Sequence, residues 1–103
     1  MSPIVVVVTL TPSEGNRDAL LAVCEKYWPG IQGEPGCELL ALHENTETFV
    51  VIERWASREI WEQHLSTEAN AALNTELAPL LGAAVNVWDL TPVPIGDAAK
   101  ALV

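Results

Sequence analysis

Two extended runs lie so close together along the chain that they constrain its fold more than any other feature. Residues 37–44 (CELLALHE) and 48–55 (TFVVIERW) are separated only by Asn45, Thr46 and Glu47. A connection this short joins antiparallel neighbours, because parallel strands need a crossover of a dozen residues or more. The sequence therefore predicts a central β-hairpin, to which the remaining elements must be added.

Charge predicts the register of this hairpin. A three-residue loop places Glu38 opposite Arg54, whereas a two-residue loop would place Glu38 opposite Glu53, where like charges repel. The first register also places His43 opposite Phe49. It predicts that one set of side chains shares a face of the sheet: His43, Phe49, Val51, Glu53 and Trp55.

The chain before the hairpin predicts a strand and a helix. Residues 4–10 (IVVVVTL) form a continuous apolar run, which is typical of a strand covered on both faces. Ser13 and Asn16 are both candidate N-caps of a helix that runs to about Trp28. Pro29-Gly30 is predicted to end this helix.

The chain after the hairpin predicts a helical region and a last strand. Ser57 is expected to cap a helix that runs to residue 65, and Thr67 to begin another that runs to Ala78. Residues 85–91 (VNVWDLT) predict the fourth strand. The order β-α-β-β-α-β predicts an α+β, ferredoxin-like fold with helices on one face of a four-stranded antiparallel sheet. This domain would span residues 1–92. The tail at 93–103 would either fray or lie on a partner.

The apolar content of the chain predicts a homodimer. Half of the 103 residues are hydrophobic, which is a large apolar load for a domain of this size. The predicted helices cover only one face of the sheet, and the other face is still apolar. Packing two such faces together would bury both, so we expect a homodimer whose sheets form a shared barrel.

Charge and cysteine content exclude several classes of partner. Fourteen acidic residues against five basic ones give a net charge of −9, which disfavours binding to nucleic acid or to anionic membranes. The first residues lack the features of a signal peptide, and the first apolar run is too short to span a bilayer. Cys24 and Cys37 lack a metal-binding spacing and are expected to be free thiols. A cytoplasmic protein without a metal site is predicted.

Four segments together carry a resemblance to a known family. VVVVTLTPSEG, EPGCELLALHE, FVVIERWAS and WEQHLST, in this order and spacing, resemble the antibiotic biosynthesis monooxygenase superfamily of dimeric α+β barrels. The likeness extends to Pro92 and implies a pocket in each subunit between the sheet and its helices. That superfamily includes quinone-forming oxygenases, haem-degrading enzymes, quinol oxidases and members with no assigned activity.

The quinone-forming members imply a cofactor-independent monooxygenase that oxidises a phenolic or quinol-type aromatic compound with molecular oxygen. A phenol, with a pKa of about 10, reacts poorly with oxygen, whereas its anion is a better electron donor. Such an enzyme needs a base and an apolar enclosure. The alternative is a non-catalytic binding protein for a flat apolar metabolite in the same pocket. A third possibility is a structural dimer whose pocket is filled by Trp55 and Trp61.

The predicted site residues follow from this resemblance and from the inward face of the helices. His43 and Trp55 match a histidine and a tryptophan of quinone-forming members, and His64 is a second candidate base. Three positions depart from their pattern: Val51 replaces an asparagine, Trp61 a tyrosine and Asn74 an arginine. The prediction is therefore catalytic roles for His64, His43 and Trp55, and substrate contacts from Trp61, Val51, Asn74 and Asn70.

Two further features of the sequence bear on the chemistry. Haem degradation is not predicted, because the later helix offers Asn70 and Asn74 where that branch needs an axial histidine. Its porphyrin-distorting tryptophan would fall at His64.

Glu53 is an acid on an otherwise apolar face, so we expect it either to pair with a donor of the partner subunit or to act as a pocket acid with a raised pKa.

Overall fold

A four-stranded sheet with helices on one face forms the body of the protein, in a computed structural model that describes residues 2–103. The elements in chain order are β1 (Ile4–Leu10), α1 (Arg17–Gln32), β2 (Cys37–Glu44), β3 (Phe49–Trp55), α2 (Arg58–Leu65), α3 (Glu68–Leu77), β4 (Asn86–Leu90) and α4 (Ala98–Ala101), with a 3-10 turn at Ala78–Leu80.

The sheet has the strand order β2-β3-β1-β4, and every neighbouring pair is antiparallel. The β-branched run of β1 lies inside the sheet, where it pairs with β3 on one side and with β4 on the other. This arrangement confirms the predicted α+β, ferredoxin-like fold.

Alternation along the strands separates the core from the opposite face of the sheet. Every second residue of β3 is buried, beginning with Phe49 and ending with Trp55, because successive side chains of a strand point to opposite faces. These side chains pack against the apolar faces of the helices. The buried core includes Ile4, Val6, Leu10, Leu20, Cys24, Ile31, Phe49, Val51, Trp55, Leu73 and Leu77.

The predicted hairpin register was wrong by one residue. Glu44 pairs with Phe49, and His43 therefore lies opposite Val50. The cause is the side chain of Asn45, whose Oδ1 accepts hydrogen bonds from the backbone N–H groups of Glu47 at 2.9 Å and Thr48 at 2.8 Å. This local turn lengthens the loop to four residues, which moves His43 to the other face of the sheet.

The ion pair used to choose that register forms nevertheless. Arg54 Nε donates to Glu38 Oε1 at 2.7 Å. The four-residue loop makes Leu39 the partner of Arg54, and a bulge between Cys37 and Leu39 leaves Glu38 as the extra residue beside this pair. The contact was predicted correctly, but it does not define the register.

Helix α1 continues past Pro29 to Gln32, beyond the predicted end at Trp28. A proline inside a helix removes one backbone hydrogen bond and is costly. The extra turn buries Ile31, which is 2 % exposed, and this burial offsets the cost. The caps of the following helices agree with the prediction: the side chain of Ser57 accepts from Ile60 N, and that of Thr67 accepts from Asn70 N.

The face of the sheet away from α1, α2 and α3 is apolar and partly open; we call it the open face. Trp88 and Leu90 of β4 lie on it and are 47 % and 44 % exposed. The end of the chain returns to this face, where Arg54 Nη1 donates to the carbonyl oxygen of Val103 at 2.8 Å. Within residues 2–103, no helix has the length and apolar composition needed to cross a bilayer.

Candidate functional site

A cavity of about 370 Å³ lies between the helix-covered face of the sheet and the helices. Its walls are mainly apolar and include Val6, Val8 and Val51 from the strands and Leu73 and Leu77 from α3. A few polar side chains interrupt this lining. A mostly apolar enclosure with few polar groups is the usual form of a small-molecule site.

A histidine of the cavity wall is paired with a carboxylate that lies outside the wall. Nδ1 of His64 lies 3.0 Å from Oε1 and 3.2 Å from Oε2 of Glu34. The two side chains are only 7 % and 19 % exposed. Because a carboxylate accepts the Nδ1–H, it fixes the tautomer of the imidazole and leaves Nε2 with its lone pair. Nε2 can then accept a proton from a ligand in the cavity.

The turn Glu34-Pro35-Gly36 brings this carboxylate against α2. Gly36 has φ of +82°, and a Cβ at this position would lie 2.6 Å from Cγ2 of Ile60. Ile60 and His64 are four residues apart, so they lie on the same face of the helix. The turn runs along that face, with Gly36 against Ile60 and Glu34 against His64. Glycine is required here both for the positive φ and for the close approach.

Trp55 connects His64 to a second acidic group. Its ring stacks on the imidazole with centroids 4.5 Å apart and an interplanar angle of 26°. Its Nε1–H donates to Oε1 of Glu53 at 2.8 Å. Trp55 is fully buried, and Glu53 is 7 % exposed. One indole thus positions both the histidine and the buried carboxyl group.

Burial raises the pKa of Glu53 above its ordinary value, because removal from water penalises the ionised form. The Trp55 N–H and nearby His64 act in the opposite direction, but burial outweighs them. Glu53 therefore keeps its proton to a higher pH than a carboxyl group in solvent.

One polar atom on each of His64 and Glu53 is available to a ligand. His64 Nε2 and Glu53 Oε2 form no hydrogen bond with any residue from 2 to 103. In that part of the chain, Trp28 Nε1 is the only fully buried side-chain nitrogen or oxygen without a partner. The other two atoms are therefore not enclosed. Both residues line the cavity.

Most of the predicted site residues meet at this cavity. His64, Trp61, Val51, Asn70 and Asn74 all line it. Trp55 lies behind the wall, where it contacts His64 and Glu53. His43 does not join them: the shifted register places it on the open face, where it is exposed.

Sequence reasoning missed Glu34 as a site residue. Its contact with His64 spans thirty residues along the chain, and the local sequence shows only a turn. Glu53 carried a visible signal, since it is an acid within an alternating apolar strand. It lines the cavity, where Trp55 of its own chain donates to it and burial raises its pKa.

Neither cysteine lines the cavity. Cys24 and Cys37 are free, as predicted. Burial raises the pKa of Cys24 to about 11, so its thiol is protonated at neutral pH. No three His, Cys, Asp or Glu side chains within residues 2–103 are grouped so that they could hold a metal ion.

The fold and the cavity define a class of protein: ferredoxin-like α+β domains with an apolar ligand cavity between the sheet and its helices. The chain belongs to the antibiotic biosynthesis monooxygenase family, whose model matches residues 3–75. A comparison with curated proteins found no match.

Solved structures with the same fold include Rv0793 from Mycobacterium tuberculosis. It is 26 % identical to this chain with a TM-score of 0.84, over 89 % of this chain and 96 % of that one. A protein from Pseudomonas aeruginosa is 24 % identical with a TM-score of 0.81, over 90 % and 96 % of the two chains. One from Caulobacter crescentus is 23 % identical with a TM-score of 0.84, over 89 % and 91 %.

Proposed function

We propose that the protein is a cofactor-independent monooxygenase that oxidises a phenolic or quinol-type aromatic compound with molecular oxygen. The observation that carries this proposal is the His64–Glu34 pair: His64 lines a mainly apolar cavity, and its Nε2 has no hydrogen-bond partner within residues 2–103. Membership of the antibiotic biosynthesis monooxygenase family supports the reaction class.

His64 is the base in the proposed mechanism. Its Nε2 takes the proton from the substrate hydroxyl, and Glu34 stabilises the positive imidazolium that results. The anion left behind gives up an electron to oxygen far more readily than the neutral phenol does. Oxygen then adds to the ring. One oxygen atom becomes the new quinone carbonyl, and the other leaves as water with the two hydrogens that the substrate loses.

The rest of the cavity encloses and orients the aromatic substrate. Trp61 and the valines of the sheet both line the cavity and offer apolar surface to an aromatic ring. Asn70 and Asn74 add amide groups on the side of α3. Such walls exclude water from the reacting anion, which would otherwise be stabilised by solvent and react more slowly.

We also propose that the protein works as a homodimer formed through the open face. Trp88 and Leu90 leave large apolar surfaces on that face, and a second copy of the same face would cover them. Two sheets packed in this way would form a barrel. Each cavity lies on the opposite side of its sheet, so both would stay open to substrate.

Oxygen uptake by the purified, metal-free protein tests the proposed reaction. The substrates are a small panel of quinols and anthrones, and the test variant is His64→Ala. Loss of a general base is expected to slow the reaction by roughly 100-fold to 10,000-fold. His43→Ala is the matched control, because it removes the other histidine from the opposite face of the sheet.

Three results would contradict this proposal. One is uptake that survives His64→Ala, which would remove the histidine as the base. Another is loss of uptake in His43→Ala but not in His64→Ala, which would place the base on the open face of the sheet. The third is tight binding of the same compounds without any uptake, which would make the protein a binding protein for a flat apolar metabolite.

A further inference from the structure

We propose that the same cavity also catalyses a reaction that needs no oxygen: enolisation of a neutral aromatic ketone, with His64 as base and Glu53 as acid. The inference goes beyond the proposed oxidation, because it assigns a catalytic role to Glu53 that removing a proton from a phenol does not require. It uses the same cavity but no external oxidant.

The geometry supplies an acid and a base that face one cavity. His64 and Glu53 both line it. Within residues 2–103 their Nε2 and Oε2 atoms have no hydrogen-bond partner, while Glu34 holds His64 Nδ1 and Trp55 holds Glu53 Oε1. Trp55 touches both groups, through a stacked ring on one side and an N–H bond on the other. Enolisation needs this arrangement, with one group to remove a proton from carbon and another to protonate the carbonyl oxygen.

The charge of the lining favours a neutral ligand. As far as residues 2–103 are concerned, the cavity wall contains no lysine or arginine, and its one acidic side chain is Glu53. A carboxylate or phosphate ligand would enter an apolar space with no cation to pair with it, which is costly. An uncharged ketone joined to an aromatic ring fits both the apolar walls and the two proton-transfer groups.

The proposed step moves two protons and oxidises nothing. The C–H bond beside the carbonyl breaks; its proton goes to His64 Nε2, and its electron pair forms the C=C bond of the enol. The π electrons of the carbonyl move to oxygen, which receives the proton of Glu53. Burial keeps this carboxyl group protonated to a higher pH than usual, because it raises its pKa. The imidazolium and carboxylate then exchange protons with water, and the reverse step returns the ketone.

Hydrogen–deuterium exchange into 2-tetralone under anaerobic conditions tests this inference. The C1 methylene of this bicyclic ketone lies between the carbonyl and the aromatic ring, so NMR in deuterium oxide follows its exchange directly. The wild-type protein should exchange it faster than buffer alone. His64→Gln and Glu53→Gln should each lower the protein-catalysed rate by roughly 100-fold or more.

Two further measurements separate a chemical role from a structural one. In Glu53→Gln the new amide oxygen can still accept from Trp55 Nε1, so the fold should persist, and thermal unfolding together with 2-tetralone binding checks this. Glu62→Gln is the matched control, because it removes a carboxylate from the exposed side of α2. This control should exchange at the wild-type rate.

The inference is overturned if the wild-type protein exchanges no faster than buffer, or if either His64→Gln or Glu53→Gln keeps the wild-type rate. Parallel oxygen-uptake measurements distinguish it from the proposed oxidation. Exchange without uptake would uphold enolisation and remove the oxygenase proposal. Uptake without exchange would do the reverse.

Discussion

Replacing Glu34 by glutamine tests whether a negative charge behind His64 contributes to the reaction. Glutamine has nearly the same shape, and its amide oxygen can still accept the Nδ1–H. The substitution therefore removes the charge and keeps the hydrogen bond. In the wild-type protein this charge lies 3.0 Å from Nδ1, in a pair whose side chains are 7 % and 19 % exposed. Little water separates the two groups, so the charge should affect the imidazolium strongly.

The size of the effect follows from the cost of losing a charged partner. Hydrogen bonds to charged groups contribute about 1.5–3 kcal/mol and neutral ones about 0.5–1.5 kcal/mol, so losing the charge but keeping the bond costs about 1–1.5 kcal/mol. The imidazolium exists only after His64 has taken the substrate proton. The loss is therefore expected in the transition state rather than in substrate binding. It corresponds to roughly a 5-fold to 13-fold lower kcat, with KM little changed.

Oxygen uptake with a quinol measures kcat and KM, and ¹⁵N NMR of the histidine ring reports which nitrogen carries the proton. The variant should keep the Nδ1–H tautomer while kcat falls. Glu59→Gln is a suitable control, because Glu59 is an exposed carboxylate on α2, the helix that carries His64. Wild-type kcat in Glu34→Gln, with the variant folded, would refute the electrostatic role of Glu34.

Three other substitutions test the structure. Glu53→Gln should raise the free energy of unfolding at neutral pH, because burial raises the pKa of Glu53 and its ionisation favours the unfolded chain. In urea titrations this gain should vanish as the pH falls below about 4.5, the ordinary glutamate pKa. A gain that is independent of pH would contradict the ionisation of Glu53 as its cause. Gly36→Ala should destabilise the fold by about 1–2 kcal/mol or more, since it combines a positive φ with a clash against Ile60. Gly15→Ala, also at positive φ but with open space around it, should cost less in thermal unfolding, and equal losses would refute the clash. Trp88→Asp should convert the proposed dimer into monomer by light scattering, whereas an unchanged mass would exclude the open face as the interface.

The order of the elements could be predicted because each element is encoded locally. The β-branched run of β1 and the caps at Ser57 and Thr67 lie within a few residues of the structure that they specify. The apolar periodicity of α2 likewise placed His64 on the inward side. These signals do not depend on distant parts of the chain.

The register of the hairpin could not be predicted from charge because two local effects compensate for each other. Asn45 adds a residue to the loop, and the bulge between Cys37 and Leu39 restores the contact between Glu38 and Arg54. The same ion pair is compatible with both registers. The face of the sheet on which His43 lies depends on the register, so the predicted position of His43 was wrong.

The pairing of Glu34 with His64 is a tertiary contact without a local signature. It requires α1 to continue through Pro29 and the turn at Gly36 to dock against Ile60. Each step depends on packing that a single sequence does not display. The inward position of His64 could be predicted from its helix, but its carboxylate partner could not.

The cavity wall draws on separate elements, and this separation affects how the protein could change. The proposed proton-transfer groups, His64 and Glu53, come from α2 and β3, whereas Asn70, Leu73 and Asn74 of α3 contribute only to the lining. Substitutions along α3 can therefore reshape the space for a ligand without disturbing the proposed base. Relatives with this fold could keep one reaction step and diverge in the compounds they accept.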